Sequence, residues 1–371
     1  MSDADELEGW LRLTSLPGLG SARQRSLLAA FGLPDRIFTA SRSALSAVVG
    51  TEGADRVLGS PRPEWLARAQ AWAAEPDNHI ITLADADYPP ALLDIADPPL
   101  LLYVKGDPLM LQRPALAIVG ARAATAQGEA TATAFARALS AQGLTIVSGL
   151  ALGIDAAAHR GALAAGHTVA VIGTGADRIY PARNAGLARD IAAHGAIVSE
   201  LPLGTSPLRH NFPLRNRIIA GLAQGVLVVE AALNSGSLIT ARLASESGRE
   251  VFAIPGSIHS PQARGCHRLI RDGAKLVETA EDVLEELRGR LGWQSAPHAM
   301  PGSNVPPPAA PEPVLAPDSA RVLQAIGHEP VDIDTLAPRC GLTVDALYAI
   351  LLPLELDGHI ARVPGGRFQR V

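Results

Sequence analysis

Six short apolar runs separated by helical stretches constrain this chain more than any other feature. They are LAIVG (116–120), LTIVSG (144–149), TVAVIG (168–173), AIVSE (196–200), VLVVE (226–230) and VFAIPG (251–256), each rich in Val or Ile and ending in Gly, Ser or Glu. Runs this continuous need apolar cover on both faces, which points to a parallel sheet with helices on either side. The expected fold class is α/β, a doubly wound, mainly parallel sheet. Ligands of such sheets sit beyond the carboxyl ends of the strands, where strand order reverses. The functional face is therefore expected just after the runs: Gly120 to Arg122, Ser148 to Leu150, Gly173 to Gly175, Glu200, and Glu230 to Ser237.

Between the fourth and fifth runs lies RHNFPLRNR, Arg209 to Arg217, where three arginines, a histidine and two asparagines surround Phe212. Only 4% of the chain is aromatic, so the ring is conspicuous there. Cations hold phosphates, amides bond base edges or sugars, and an aromatic face stacks on an unpaired base. One reading of the segment is a single-stranded nucleic-acid site; the other is an Arg-rich loop paired with carboxylates. VGARAAT (119–125) follows the first run, with Gly120 permitting close backbone approach, the next helix's amides favouring an anion, and Arg122 supplying charge. NSGSLITARLA (234–244) straddles another helix start, a nest for phosphate or sugar. The candidate nucleic-acid contacts are Gly120, Arg122, Ser148, Gly149, Arg209, Phe212, Arg215, Asn216, Arg217, Ser235, Gly236 and Ser237.

Other chemistries find little support. Gly173 to Gly175 is a lone GTG that runs into ADRIYPARN, and neither GxGxxG nor GxxxxGK[ST] follows the first run. Asp155 and His159 lie four apart in IDAAAH, on one helix face. They read as an acid/base pair, as half of a metal site without a third ligand, or as braces of the helix start. Ser237 has no GxSxG elbow and no base beside it. No catalytic residue, metal or cofactor is expected. Cys266 and Cys340 lack CxxC spacing, so neither a zinc knuckle nor a disulfide scaffold is indicated.

With 371 residues, 47% of them hydrophobic, the chain has length for two or three domains and ample core. Its net charge of −5 excludes a wholly electrostatic DNA binder but not a local cationic groove. The longest apolar stretch, Ile218 to Leu233, is interrupted by Gln224 and Glu230, and the acidic start MSDADELEGW is unlike a signal peptide. A cytoplasmic protein with no membrane association is expected.

Four segments are expected along the chain. Residues 1–84 form a helical domain in which Pro17-Gly18-Leu19-Gly20 joins two amphipathic stretches as a helix-hairpin-helix. Its second helix would offer amides, Arg23 and Arg25 to a phosphate, or serve a protein contact. Residues 85–290 hold the sheet, and 291–317 a stiff Pro/Ala-rich linker. Residues 318–371 read as helix, helix-turn-helix and a hairpin at Gly365-Gly366, the order of a winged helix. Its recognition helix opens with an acid, Asp345, and no Arg, while its wing carries Arg362, Arg367 and Arg370; DNA and protein contact both stay open.

Together these motifs resemble one family. VGAR, SGLALGIDAAAH, YPARN (180–184), SELPLG (199–204), FPLRNRIIAGLA (212–223), VVEAALNSGSLITARLA and VFAIPGS have the order and spacing of the bacterial DNA-processing protein A family (DprA/Smf), over roughly residues 85 to 285. The resemblance implies an extended Rossmann-like fold with a preceding helical (SAM-like) domain and a following winged helix. It implies a non-enzymatic homodimer that binds and shields single-stranded DNA in natural transformation and helps load the recombinase RecA. The family's pocket would use Arg122, Arg209 and the stacking Phe212, with Asn216 and Arg217 matching the motif that follows. Ala121 stands where a hydroxyl residue is common, which implies weaker binding at most.

Two other functions compete. One is a Rossmann-like nucleotide-binding enzyme of the nucleoside-monophosphate phosphoribohydrolase type. Such enzymes carry a PGGxGT turn and a catalytic Glu; this chain has Glu230 at a strand end and no PGG. The other is a scaffold that uses its helical modules for proteins and binds no DNA.

Overall fold

The computed structural model describes residues 3–59, 63–291, 316–327, 330–363 and 365–370. The N-terminal helices are α1 (Asp3–Ser15), α2 (Ser21–Phe31), α3 (Pro34–Thr39), α4 (Arg42–Leu58) and α5 (Pro63–Ala73). The sheet strands are β1 (Asn78–Thr82), β2 (Leu101–Gly106), β3 (Ala115–Val119), β4 (Thr145–Ser148), β5 (Thr168–Val171), β6 (Ala196–Ser199), β7 (Gly225–Val228), β8 (Glu250–Ala253) and β9 (Lys275–Leu276). Among and after them lie α6 (Pro90–Leu93), α7 (Ala126–Ala141), α8 (Ile154–Leu163), α9 (Ala185–His194), α10 (Asn211–Leu222), α11 (Ser237–Glu246), α12 (Arg264–Arg271) and α13 (Ala280–Leu291).

The nine strands form one sheet in the order β1-β2-β6-β5-β4-β3-β7-β8-β9. All pairs from β6 to β9 are parallel; β1–β2 and β2–β6 are antiparallel. Strand order reverses between β3 and β7, so the chain's crevice opens beyond the ends of those two strands. Alternating residues of the central strands feed opposite layers. Ala117, Val119, Val226 and Val228 join the α10–α11 side, while Leu116, Ile118, Leu227 and Val229 join the α7–α8 side. That two-sided burial is what the continuous apolar runs require.

The sheet begins at Asn78, ahead of the boundary expected at 84/85. NHIIT and LLYVKG are short, and they sit at the antiparallel edge, where the αβ rhythm used to find the other strands is absent. The helical domain also does not stand apart. Its core of Trp10, Leu11, Leu27 and Val57 runs into Leu101, Tyr103, Ala176 and Leu203 of the sheet domain. Trp72 meets Tyr103 edge-on, ring centroids 5.6 Å apart.

The C-terminal unit holds α14 (Pro317–Ile326), α15 (Ile333–Cys340) and α16 (Val344–Leu356), then the antiparallel pair β10 (Ile360–Val363) and β11 (Arg367–Arg370). Val322, Leu336, Leu347, Leu351 and Phe368 fill its core. This is the helix, helix-turn-helix, hairpin order of a winged helix. The opposite side of α16 leaves Val344, Tyr348, Leu352 and Leu356 exposed, an apolar stripe with little to offer phosphates. Most of the expected Pro/Ala-rich linker lies outside the described residues. Among the described residues no single helix is long and apolar enough to cross a membrane.

Candidate nucleic-acid interface

The turn after β3 is set by contact rather than by dihedral angle. A Cβ on Gly120 would lie 2.7 Å from the Ile154 side chain and 2.9 Å from the Glu230 carbonyl, so only glycine lets the chain pass. Arg122 then emerges exposed. Thr125 caps α7, accepting from the Gly128 amide at 3.0 Å. Its own amide and hydroxyl donate to the two Glu230 oxygens at 3.0 and 2.6 Å. The anion expected at this helix start is thus the protein's own Glu230, and the ligand-facing cation is Arg122.

The turn after β4 is wired inward. Ser148 is fully buried and its hydroxyl donates to the Ile118 carbonyl at 2.6 Å. The expectation that Ser148 contacts nucleic acid is corrected: its one proton is committed between strands. Gly149 and Ala151 donate their amides to Asp155 at 3.1 and 3.3 Å. A Cβ on Gly149 would strike the Arg215 guanidinium. Arg215 is 5% exposed and donates to the Val171 carbonyl. Burial pushes Arg215 down to about 10 against the pull of Asp155, and burial raises the Asp155 carboxyl against the pull of Arg215. The two are buried, oppositely charged neighbours in the wall of the cleft.

His159 is buried too, its Nδ1 2.7 Å from the Thr168 hydroxyl, which itself donates to the Ile146 carbonyl at 2.6 Å. Thr168 must therefore accept, which places the His159 proton on Nδ1. Burial, then the nearby Arg215 and Arg160, push His159 down to about 3. Asp155 braces the α8 start, whereas His159 ties the body of α8 to β5.

Phe212 enters from the first turn of α10, half-buried, with Pro213 and Leu214 exposed beyond it. Glycine at 173 makes room: a Cβ there would sit 2.9 Å from the ring. The Arg122 guanidinium lies over that ring and Tyr180 tilts against it, centroids 5.8 Å apart. A cleft of about 700 Å³ opens here. Its lining includes Gly120, Arg122, Arg209, Phe212, Arg215 and Asn216 together with Ser235, Gly236 and Ser237. The two serine hydroxyls are 2.7 Å apart, and Asn216 donates to the Gly236 carbonyl at 3.3 Å. A smaller recess of about 100 Å³ beside it holds Gly149, Leu152 and Tyr180. Among the described residues neither Arg122 nor Arg209 enters an ion pair, and both line the cleft.

Arg217 is the second correction. It leaves the cleft and forms a fork on Glu200, with bonds of 2.6 and 2.5 Å, so its charge is neutralised. The helix-hairpin-helix reading changes as well. Arg25 pairs with Asp97, and Arg56 covers Gly18 and donates to its carbonyl. Sequence reasoning missed Tyr180 as a cleft residue. An aromatic in a strand-end loop of an aromatic-poor chain was the available signal.

Comparison with known proteins bears on the family directly. The family model described as DNA recombination-mediator protein A matches residues 79–288, more than half of the chain. The chain belongs to the DNA recombination-mediator protein A family. A DprA winged helix domain model matches residues 306–366. Protein Smf of Escherichia coli (strain K12) is 44% identical over 315 residues, 84% of this chain and 83% of that one. The X-ray structure of DNA processing protein A from Streptococcus pneumoniae superimposes with a TM-score of 0.67 at 38% identity, covering 77% of this chain and 98% of that one. DNA processing protein A from Helicobacter pylori, whose structure is described for its single-stranded DNA binding mode, gives 0.52 at 32% identity, over 57% and 96% of the two chains. In this family member the positions implied for the pocket, Arg122, Arg209 and Phe212, come together from two separate segments of the sequence.

Proposed function

We propose that this protein binds single-stranded DNA in the cleft between the β3 turn and α10, without catalysing a reaction on it. The observation that carries the reading is the joint placement of two unpaired arginines and an aromatic face in one open cleft. Phosphates meet Arg122 and Arg209, a base stacks at Phe212, and the Ser235–Ser237 segment receives sugar or phosphate oxygens. The Helicobacter relative, whose structure is described for binding single-stranded DNA, supports the choice of that ligand. Family membership extends it to protection of incoming DNA in natural transformation and to loading of RecA by a homodimer in the cytoplasm.

The phosphoribohydrolase alternative needs a free carboxylate at Glu230. Both Glu230 oxygens are held by Thr125, and a Cβ on Gly128 would strike the carboxylate, so Glu230 serves as a helix cap. The test is fluorescence anisotropy of a labelled single-stranded oligonucleotide over several salt concentrations, with duplex and mononucleotide competitors. Tight, salt-sensitive binding that neither competitor displaces supports the proposal. Absence of binding, or ready displacement by a mononucleotide, overturns it.

A further inference from the structure

We infer that Arg25, Asp97 and Arg217 are positioning residues that fasten the N-terminal helical hairpin to α10 and so hold Phe212 and Asn216 in the cleft. The inference rests on the single-strand reading above. Arg217 sits on α10 five residues after Phe212, with its side chain only 13% exposed. All three nitrogens of its guanidinium are engaged. The fork reaches Glu200 at the end of β6, Nε donates to the Asp97 carbonyl at 2.8 Å, and one terminal nitrogen returns to Leu214 at 3.1 Å. Nε also lies 3.3 Å from the Asp97 carboxylate. That carboxylate in turn holds Arg25 and, at 3.4 Å, the hydroxyl of Ser21, both on α2.

The linkage therefore runs from α2 through Asp97 to Arg217, on the helix that carries the stacking ring, and from there to Glu200 after β6. Asp97 lies between α6 and β2, outside the cleft, and Arg25 belongs to a different domain from the cleft. An exposed pair would count for little, but a half-buried arginine with four hydrogen bonds, set between two carboxylates, is held in one arrangement. Fixing α10 before DNA arrives removes an ordering cost from binding. The same bonds explain why the helical hairpin, which in sequence offers amides and arginines to phosphate, presents a carboxylate at the start of α2 instead.

The experiment uses the full chain with Asp97→Ala, Arg25→Gln, Arg25→Lys and the Arg25→Gln/Asp97→Ala pair. Hydrogen exchange of the DNA-free proteins is read across residues 211–222 against α7 as internal reference, and anisotropy with a thymidine 20-mer is read over a salt series. Asp97→Ala and Arg25→Gln are expected to speed exchange in 211–222 but not in α7. They should weaken binding about threefold to thirtyfold. The salt slope stays that of the parent protein, the pair loses no more than the worse single variant, and Arg25→Lys recovers most of the loss. Unchanged exchange across 211–222 overturns the inference. So does a salt slope that falls by about 0.7 in Arg25→Gln, because that marks Arg25 itself as a phosphate ligand. If the parent protein binds no single strand, the functional reading fails while the exchange data still decide the coupling.

Discussion

The guanidinium of Arg122 lies over the ring of Phe212, 5.4 Å from its centroid. The two residues are ninety positions apart, one on the turn after β3 and the other in the first turn of α10. The ring is thereby given a cation, Tyr180 and Gly173 also approach it, and its remaining surface lines the cleft. A base that stacks there brings its phosphates within reach of the same arginine and of Arg209. Charge and stacking surface are thus built as one unit, and each can be removed separately.

Removing charge should show in the salt dependence. Arg122→Glu and Arg209→Glu are each expected to weaken single-strand binding about tenfold or more, since a charge-assisted hydrogen bond contributes about 1.5–3 kcal/mol. The slope of log affinity against log salt should fall by about 0.7 for each phosphate that the variant no longer neutralises. Thermal melts should stay unchanged, because both side chains are exposed and bridge nothing. Parent-like binding by both variants would remove the cleft from consideration.

Removing the ring should leave the salt slope alone. Phe212→Ala is expected to lose about 1–3 kcal/mol of binding, the range for one base–aromatic stack, with the slope unaltered. Phe212→Trp keeps a stacking face and should retain most affinity. Equal loss in both variants would mean that the ring shapes the cleft wall without touching a base.

The six central strands were legible because burial on both faces forces a continuous apolar run that few other structures tolerate. The antiparallel strands β1 and β2 were not, since an antiparallel pair beside a helical domain leaves no alternation to read. At the site, residue types foretold the cleft but not which arginine points where. RHNFPLRNR contains Arg209, Arg215 and Arg217, and the helical turn sends them to three environments. Arg209 faces solvent, Arg215 is buried against Asp155, and Arg217 is clamped by Glu200. That division is decided by carboxylates far away in sequence, so no local pattern carries it. Gly149 and Gly173 are likewise explained only by what they approach, Arg215 and Phe212.

Gly149 gives a third prediction. Its missing side chain is the space that the Arg215 guanidinium occupies. Gly149→Ala should destabilise the sheet domain by about 1–3 kcal/mol, the usual cost of overpacking, and weaken DNA binding by displacing Arg215 in the cleft wall. Gly186→Ala is the control: on the exposed side of α9 its nearest neighbour atom is 4.0 Å away. There alanine should be neutral or stabilising by up to about 1 kcal/mol. Chemical denaturation of the two variants measures the difference, and equal stabilities would refute the packing argument.

The acid limb of stability should report on His159. The folded protein holds this side chain neutral down to about pH 3, because it is buried and Arg215 and Arg160 oppose a further positive charge. An unfolded histidine protonates near its ordinary 6.5. Between these values the unfolded state binds a proton that the folded state refuses, so stability falls as pH is lowered through the window. One such proton contributes a slope of at most about 1.4 kcal/mol per pH unit. Asp155 acts in the opposite sense, since its raised folded value favours the folded state in acid. His159→Gln removes the histidine's share and can keep a bond to Thr168. Unfolding free energies from urea titrations at pH 7, 6, 5 and 4.5 should fall less steeply for this variant than for the parent. Parallel curves would mean that His159 takes up its proton in the folded state as readily as in the unfolded one.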